Sequence, residues 1–225
     1  DRAAIIDTND VQLLLVCDGM GGHKKGEVAS QLAIDIITSS FEFDDKNTTE
    51  YKAKKVIRKV MKKANSEINN LATTNPNMGT TVVMAGVLED TTLICNCGDS
   101  RAYSYSKEYG LKQLTTDQTY VQYLYSLGKI KKEEIKTHPK RHILMNAMGI
   151  NPTIDYDIIS IPNDYDSLLL ASDGFTNMVS KKEIEQLIAL EGTVKEKVDT
   201  MLQRALENGG LDNIAINLME VDHEN

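Results

Sequence analysis

Four aspartates in this sequence stand where an apolar run begins or ends. Asp18 follows LLLVC, Asp99 follows LICNCG, Asp173 follows LLLAS, and Asp212 precedes the run IAINLMEV. Carboxylates gathered at strand ends can bind a hard divalent cation such as Mg²⁺ or Mn²⁺, which prefers oxygen ligands. Because strand starts and strand ends are neighbours in an antiparallel sheet, the four side chains are predicted to meet at one rim of a β core. That rim is the predicted active site.

The glycine-rich turn after Asp18 allows other interpretations. Its sequence, VCDGMGGHKKGE, has neither the GxGxxG nor the GxxxxGK[ST] spacing, which disfavours a nucleotide-binding loop. An aspartate directly before the glycines would repel a phosphate unless a cation lay between them. A plain Asp-Gly turn explains this motif equally well when it is taken alone, but the recurrence of aspartate in ASDG and LDN favours a metal site.

The composition is that of a folded globular protein. The chain has 225 residues, of which 26% are charged and 41% hydrophobic, and this length suits one large domain. The formal net charge of −8 disfavours nucleic acid as a partner. The lysine-rich stretch 52–63 carries Val56, Ile57 and Val60 at helical spacing, so it predicts the solvated face of an amphipathic helix rather than a basic binding patch.

The remaining composition bears on the compartment. No apolar run reaches the roughly 20 residues of a membrane span, and the first residues show no signal-peptide pattern. Three cysteines, Cys17, Cys95 and Cys97, fall in apolar runs and are predicted to be reduced core residues, with no second Cys/His pair to complete a zinc site. These features predict a cytoplasmic protein.

Alternating strands and helices must position the aspartates. Residues 11–17, 80–88, 91–97, 101–106, 111–114, 154–160, 167–172 and 213–221 are predicted strands, and 26–40, 50–71, 181–189 and 193–207 are predicted helices. The closely spaced strands between 80 and 114 favour an antiparallel meander. Helix pairs near both ends predict antiparallel sheets whose outer faces are covered by helices.

Seven motifs, taken together and in this order, carry a family resemblance. They are VCDGMGGHKKGEVAS, MGTTVVMAGV, NCGDSRAY, LTTDQTYVQYLYSLGKI, THPKRHILMNAMG, LLLASDGFTNMVS and GGLDNIAIN. The chain resembles, from Asp1 to about Val221, the bacterial branch of the metal-dependent type 2C protein phosphatases. The resemblance implies an α+β fold, a four-layer α/β/β/α sandwich of two antiparallel sheets flanked by helix pairs. It also implies one catalytic domain over residues 1–225, with a mobile flap at about 115–149.

The resemblance assigns roles to the acidic residues. It implies two Mn²⁺ or Mg²⁺ ions, with Asp18 bridging both and the backbone carbonyl of Gly19 binding one of them. Asp173 and Asp212 would bind the other ion. Asp99, together with Asp173, matches a third metal position of bacterial members. Asp1 aligns with the last residue of the family's first acidic motif, where it would orient water at the metal centre.

Several positions depart from the family pattern. The phosphate-binding arginine of the family has no counterpart in the chain, and Arg2 is not at the matching position. Met20 replaces the histidine of eukaryotic members, so His23 is the candidate general acid, with a solvent-exposed loop histidine as the alternative. Gln118 stands where the flap often has histidine. His138 and Arg141 match the flap and are candidate substrate contacts, with a cap or surface role as the alternative.

The predicted function is hydrolysis of phosphoserine and phosphothreonine in proteins by a metal-activated water. Phosphorylated proteins, including a serine/threonine kinase, are the expected partners. Two alternatives stand beside it: a catalytically silent scaffold that binds phosphoproteins, and a phosphatase acting on one dedicated regulator or on a small phosphorylated metabolite. The presence of all the metal-site aspartates disfavours the scaffold.

Overall fold

The computed structural model describes residues 1–7, 11–41 and 48–221, without the side chain of His23. The described strands, numbered in chain order, are β1 (Arg2–Asp7), β2 (Gln12–Cys17), β3 (Gly19–Met20), β4 (Gly79–Thr80), β5 (Val82–Val87), β6 (Thr91–Cys97), β7 (Arg101–Ser106), β8 (Gly110–Gln113), β9 (Asp157–Pro162), β10 (Ser167–Ala171) and β11 (Ile216–Glu220). The described helices are α1 (His23–Ser40), α2 (Glu50–Ala72), α3 (Tyr120–Ser126), α4 (Asp173–Thr176), α5 (Lys181–Ile188) and α6 (Val194–Glu207), with one 3-10 turn at Lys132–Glu134.

Most of the strands form two antiparallel sheets. The first has the order β1-β2-β5-β6-β9 and the second has the order β11-β10-β7-β8. Strands β3 and β4 form a separate two-stranded ribbon beside the end of β2. The chain passes from the first sheet to the second between β6 and β7, in the turn that contains Asp99.

Local sequence signals explain where the outer helices begin. Thr49, Ser180 and Thr193 each accept a hydrogen bond from a main-chain N–H in the first turn of α2, α5 and α6. In α5 and α6 a glutamate at the third helical position completes a capping box, which satisfies otherwise unpaired N–H groups. The buried residues of α2 recur every three or four positions, so one face of this helix meets a sheet.

Three hydrophobic layers hold the molecule together. One lies between the first sheet and helices α1 and α2, and includes Leu15, Ile57 and Met84. A second lies between the two sheets, where alternate residues such as Leu14 and Leu168 point inward. The third packs the second sheet against α5 and α6. Each strand of the sheet centres is therefore covered on both faces, which explains their near-continuous apolar runs.

The predicted α/β/β/α sandwich is confirmed. The prediction of one antiparallel meander between residues 80 and 114 is wrong, because β6 and β7 belong to different sheets. The edge strand β1 was missed: its RAAIID sequence carries a weak local signal, and its identity as a strand comes from pairing with β2. The last strand begins at Ile216 rather than at residue 213, and β9 begins at Asp157 rather than at residue 154, since each is preceded by a loop.

Two further features agree with the sequence. Cys17, Cys95 and Cys97 are free and buried, and burial raises the pKa of Cys97 to about 12, so this thiol stays protonated. Within the described ranges, no helix has the length and apolar character needed to cross a membrane.

Candidate metal centre

The backbone of Asp18 is held by Thr80, which ends β4, and by Thr81, which lies between β4 and β5. The N–H of Asp18 donates to Thr81 Oγ1 (3.1 Å), and the carbonyl of Asp18 accepts from the Thr81 N–H (2.8 Å) and from Thr80 Oγ1 (2.9 Å). Thr81 Oγ1 also bonds Ser100 Oγ (2.7 Å) in the turn between β6 and β7. This brace fixes the direction in which Asp18 leaves the end of β2.

The turn after Asp18 depends on a close approach of two glycines. A Cβ atom on Gly19 would lie 2.0 Å from the carbonyl oxygen of Gly26, and one on Gly26 would lie 2.5 Å from the carbonyl oxygen of Gly19. The first turn of α1 therefore packs directly on β3, which explains the glycine spacing of the GMGGHKKG segment. The Gly19 carbonyl oxygen therefore lies close to Gly26 in the first turn of α1.

Asp173 and Asp212 flank two adjacent strands of the second sheet, β10 and β11. Asp173 is the first residue of α4, after β10, and its Oδ2 accepts from Asn177 Nδ2 (3.1 Å). Asp212 lies in the loop before β11, and its Oδ1 accepts from the Asn213 N–H (2.8 Å). The two segments approach closely at Gly174, where a Cβ would lie 1.9 Å from the Asn213 carbonyl oxygen.

Asp99 occupies the turn that links the two sheets. The preceding residue, Gly98, has φ of 110°, and a Cβ there would lie 2.7 Å from Thr81 Cγ2, so the turn requires glycine. On the other side of the turn, Arg101 forms a two-pronged ion pair with Asp117, with Nε to Oδ1 at 2.8 Å and Nη2 to Oδ2 at 2.6 Å. This ion pair places the Arg101 guanidinium near Asp99.

The pKa shifts of Asp18, Asp99 and Asp173 indicate that the four carboxylates lie near one another, and they are called the carboxylate cluster below. Burial raises the pKa of Asp18 to about 8, and repulsion from Asp173, Asp99 and Asp212 adds to the effect. Burial also raises the pKa of Asp99 to about 7, with repulsion from Asp173 and Asp117 opposed by Arg101.

Asp18 and Asp173 are the closest pair in electrostatic terms. Their carboxyl groups are in hydrogen-bonding contact, which raises the pKa of Asp18 and opposes the rise at Asp173. Burial is nevertheless the largest effect at Asp173, and its pKa is raised as well. Two carboxylates this close share a proton unless a cation neutralises them.

The donor set fits a hard divalent cation. It consists of carboxylate oxygens from distant parts of the chain, and this is the chemistry that Mg²⁺ and Mn²⁺ select. Asp1 adds a further oxygen: Arg2 pairs with Cys17 across β1 and β2, which brings Asp1 level with Asp18, and Asp1 Oδ2 is buried without a hydrogen-bond partner. A buried carboxylate oxygen of this kind needs a donor or a cation.

The aspartates are not arranged as a complete metal-binding site. Among the residues the structure describes, no group of three or more Asp, Glu, His or Cys side chains is already arranged as a metal site. The fit therefore rests on the donor chemistry and on the mutual electrostatic effects of the aspartates. In the arrangement described, these side chains would have to turn toward a common point to bind an ion.

The four aspartates do not all flank strands of one sheet. Asp173 and Asp212 do follow and precede paired strands of the second sheet, but Asp18 follows a strand of the first sheet, and Asp99 lies between the sheets. The packing of the two sheets against each other brings the carboxylates together, and strand pairing alone would not do so.

The structure gives local contacts for only some of the other predicted site residues. His23 begins α1, four residues after Gly19, and its side chain lies outside the described part of the structure. His138 Nδ1 accepts from the Lys140 N–H (3.1 Å) and so takes part in a local turn, whereas Arg141 is exposed. Arg2 is held on α1 by Glu27 (2.7 Å) and Gln31 (2.8 Å).

Sequence reasoning missed several residues of this site. Thr81 and Ser100 brace Asp18, Asn177 orients Asp173, and the electrostatic interaction with His142 lowers the pKa of Asp173. Thr81, Ser100 and Asn177 belong to the motifs MGTT, GDSR and SDGFTN, so their positions carried a signal. Nothing in the local sequence indicated that the flap would bring His142 toward Asp173.

Comparison with known proteins gives a consistent result. The sequence profile described as protein phosphatase 2C matches residues 1–218. The serine/threonine phosphatase stp of Listeria monocytogenes is 35% identical over 99% of this chain and 90% of its own length. Protein phosphatase PhpP of Streptococcus pneumoniae is 30% identical over 94% of this chain and 87% of its own. The crystal structure of serine/threonine phosphatase Stp1 from Staphylococcus aureus matches with a TM-score of 0.90 and 38% identity, covering 98% of this chain and 88% of that one.

Proposed function

This chain belongs to the protein phosphatase 2C family, and we propose on that basis how its carboxylate cluster supports catalysis. The protein is a metal-dependent serine/threonine phosphatase that hydrolyses phosphoserine and phosphothreonine in proteins. The observation that carries the proposed site is the electrostatic coupling of Asp18, Asp173, Asp99 and Asp212 at one end of the sandwich.

We propose a two-ion centre held by these residues. Asp18 would ligate both ions, the Gly19 carbonyl would ligate one of them, Asp173 and Asp212 would ligate the other, and Asp99 with Asp173 would hold a third ion. When bound, Mn²⁺ or Mg²⁺ would supply Lewis-acid chemistry that activates water near neutral pH. The raised pKa values of Asp18 and Asp99 support this assignment, because a cation would relieve the repulsion behind them.

The chain's own residues supply positioning and proton transfer. The brace from Thr80 and Thr81 holds the Asp18 backbone in place, so less conformational entropy is lost when a substrate binds. Asp1 lies level with Asp18 and is proposed to orient the attacking water through its unpartnered Oδ2. His23, near the glycine turn, is proposed to protonate the departing serine or threonine oxygen.

We also propose that residues 1–225 form one catalytic domain with a flap at 115–149 (the flap segment), where His138 and Arg141 contact the substrate. The exposed side chain of Arg141 supports such a contact, since a guanidinium binds phosphate well. The local bond of His138 to Lys140 favours a part in shaping the turn instead. Phosphorylated proteins of the cytoplasm, with a serine/threonine kinase among them, are the proposed partners.

The proposal is tested by titrating Mn²⁺ and Mg²⁺ while measuring hydrolysis of p-nitrophenyl phosphate and a phosphothreonine peptide. Asp18→Asn should lower turnover by about 100-fold or more, because loss of a bridging ligand removes several kcal/mol of stabilisation from the transition state. EDTA should abolish turnover of the unaltered protein. Near-normal turnover of Asp18→Asn with its metal content verified would exclude the bridging role. Full metal binding without turnover by the unaltered protein would favour the silent scaffold.

A further inference from the structure

Gln118, at the start of the flap segment, bonds both main-chain groups of Gly98. Its N–H donates to the Gly98 carbonyl oxygen (2.9 Å), and its side-chain Oε1 accepts from the Gly98 N–H (2.9 Å). Gly98 immediately precedes Asp99 in the turn between the two sheets. One residue of the flap segment therefore holds the backbone from which the Asp99 side chain projects.

The same side chain also closes the base of the flap segment. Gln118 Oε1 accepts a second hydrogen bond, from Asn146 Nδ2 (2.9 Å), and the Gln118 carbonyl accepts from the Met145 N–H (2.9 Å). On its other side, Gln118 Nε2 donates to Asp157 Oδ2 (3.0 Å) on β9. These donors and the acceptor together fix the orientation of the amide group, because its oxygen can only accept and its nitrogen can only donate.

The Gly98 backbone lies close to Thr81, which braces Asp18. A Cβ on Gly98 would lie 2.7 Å from Thr81 Cγ2, and Thr81 Oγ1 accepts the hydrogen bond from the Asp18 N–H. Gln118, Gly98, Thr81 and Asp18 are therefore neighbours in the fold. A displacement of Gly98 would reach both Asp99 and the brace of Asp18.

We propose that Gln118 is a positioning residue that joins the flap segment to the Gly98–Asp99 turn, so that one side chain sets the place of both. The part of this inference that concerns metal binding by Asp99 rests on the proposed function, whereas the hydrogen-bonded link itself does not. A glutamine suits the position because one carbonyl oxygen accepts from two donors. A neutral imidazole has a single acceptor nitrogen and could satisfy only one of them.

The link is tested by amide hydrogen exchange on the metal-free protein. Gln118→Ala removes the acceptor for the Gly98 N–H, so exchange at Gly98 should rise roughly 3- to 10-fold, the equivalent of one hydrogen bond. Asn146→Ala opens the flap base but leaves that acceptor, so exchange at Gly98 should stay within about twofold of the original. Gln122→Ala, in α3, is the matched control for loss of a glutamine from the flap segment. Unchanged Gly98 exchange in Gln118→Ala would overturn the proposal.

A rescue separates positioning from a general loss of packing. Gln118→Glu keeps the acceptor but sets a carboxylate against Asp157, so Gly98 exchange should rise. Adding Asp157→Asn supplies an amide donor opposite that carboxylate, and exchange should return to within about twofold of the original. A double variant no better protected than Gln118→Glu alone would contradict the assigned contacts.

Coupling to Asp99 is measured by the Mn²⁺ concentration that gives half-maximal turnover of p-nitrophenyl phosphate. This concentration should rise roughly 3- to 10-fold in Gln118→Ala and stay unchanged in Gln122→Ala. In the double variant Gln118→Glu with Asp157→Asn it should return to the value of the unaltered protein. Altered Gly98 exchange with an unchanged Mn²⁺ requirement would overturn the coupling to Asp99. Absence of turnover in the unaltered protein would count against the proposed function, while the exchange experiment would still decide the role of Gln118.

Discussion

At the scale of single residues, the candidate site is a group of carboxylates whose charges oppose one another. Burial and repulsion raise the pKa of Asp18 to about 8, far above the 3.8 of an exposed aspartate. Such an arrangement costs stability in the folded chain and is characteristic of functional sites. A divalent cation would remove that cost, which makes metal affinity and folding stability two measures of the same interaction.

In the metal-free protein, the contribution of Asp18 to stability should fall as pH rises from about 4 to 8. The folded chain holds a proton on Asp18 in this window whereas the unfolded chain does not, so raising the pH favours unfolding. Asp18→Asn lacks this titration. Its stability relative to the unaltered protein should therefore grow with pH, by at least about 1 kcal/mol between pH 4 and pH 8. Urea unfolding in EDTA measures the difference, and a gap that does not widen with pH would disprove the electrostatic cost.

His23 should matter most for substrates with a poor leaving group. A serine or threonine alkoxide needs a proton as it departs, whereas p-nitrophenolate leaves readily without one. His23→Gln is expected to lower kcat on a phosphothreonine peptide by roughly 100-fold, within the usual range for general acid catalysis, and to change p-nitrophenyl phosphate hydrolysis much less. Equal losses on both substrates would rule out proton donation by His23.

At the scale of elements, the ends of strands hold the site, and short side chains tie those ends together. Thr81, at the junction of β4 and β5, reaches the end of β2 through Asp18 and the turn after β6 through Ser100. Both hydrogen bonds are made by one buried hydroxyl. The brace therefore orders segments from both sides of the cluster before any substrate binds.

Thr81→Val should loosen the brace while keeping the shape of the side chain. The N–H of Asp18 and the hydroxyl of Ser100 would each lose a partner, and leaving buried polar groups unpaired costs about 1–3 kcal/mol. We expect lower stability in urea and a lower kcat, with Ser100→Ala as the control that removes only the second bond. Thr81→Val with unchanged kcat would show that the brace serves folding alone.

At the scale of the whole molecule, two sheets must pack correctly for the site to exist. Asp18 comes from the first sheet, and Asp173 and Asp212 come from the second. One buried polar side chain links them: Asn217 Nδ2, on β11, donates to the carbonyl of Ala4 (2.8 Å) and approaches that of Leu15 (3.4 Å). A directed bond within an apolar layer favours one register of the sheets over others.

Asn217→Ala should therefore affect both stability and metal binding. Loss of the link removes a hydrogen bond between the two sheets and should cost about 0.5–1.5 kcal/mol. The weakened register should also lower the affinity for Mn²⁺ in calorimetric titration, although Asn217 is not a proposed metal ligand. Leu218→Ala, on the opposite face of β11, is the control for a general loss of packing. An equal loss of Mn²⁺ affinity in both variants would remove the specific role of the link.

Local sequence signals were enough to predict helices α1, α2, α5 and α6 and most of the strands. Apolar runs and capping signals are local, so strands such as β2 and β10 and helices α5 and α6 could be predicted from neighbouring residues. The ordered motifs likewise indicated the family and the metal-site aspartates, because those residue types and glycines are required at fixed positions in the chain.

Which strands share a sheet and how the carboxylates come together depend on long-range packing. Strand β1 exists through pairing with β2, and the crossing at Asp99 divides the predicted meander between two sheets. The bonds from Gln118 to Gly98 join residues about 20 positions apart in sequence. Such contacts depend on the packing of layers, and the free energy of packing is a property of the assembled chain that no local pattern encodes.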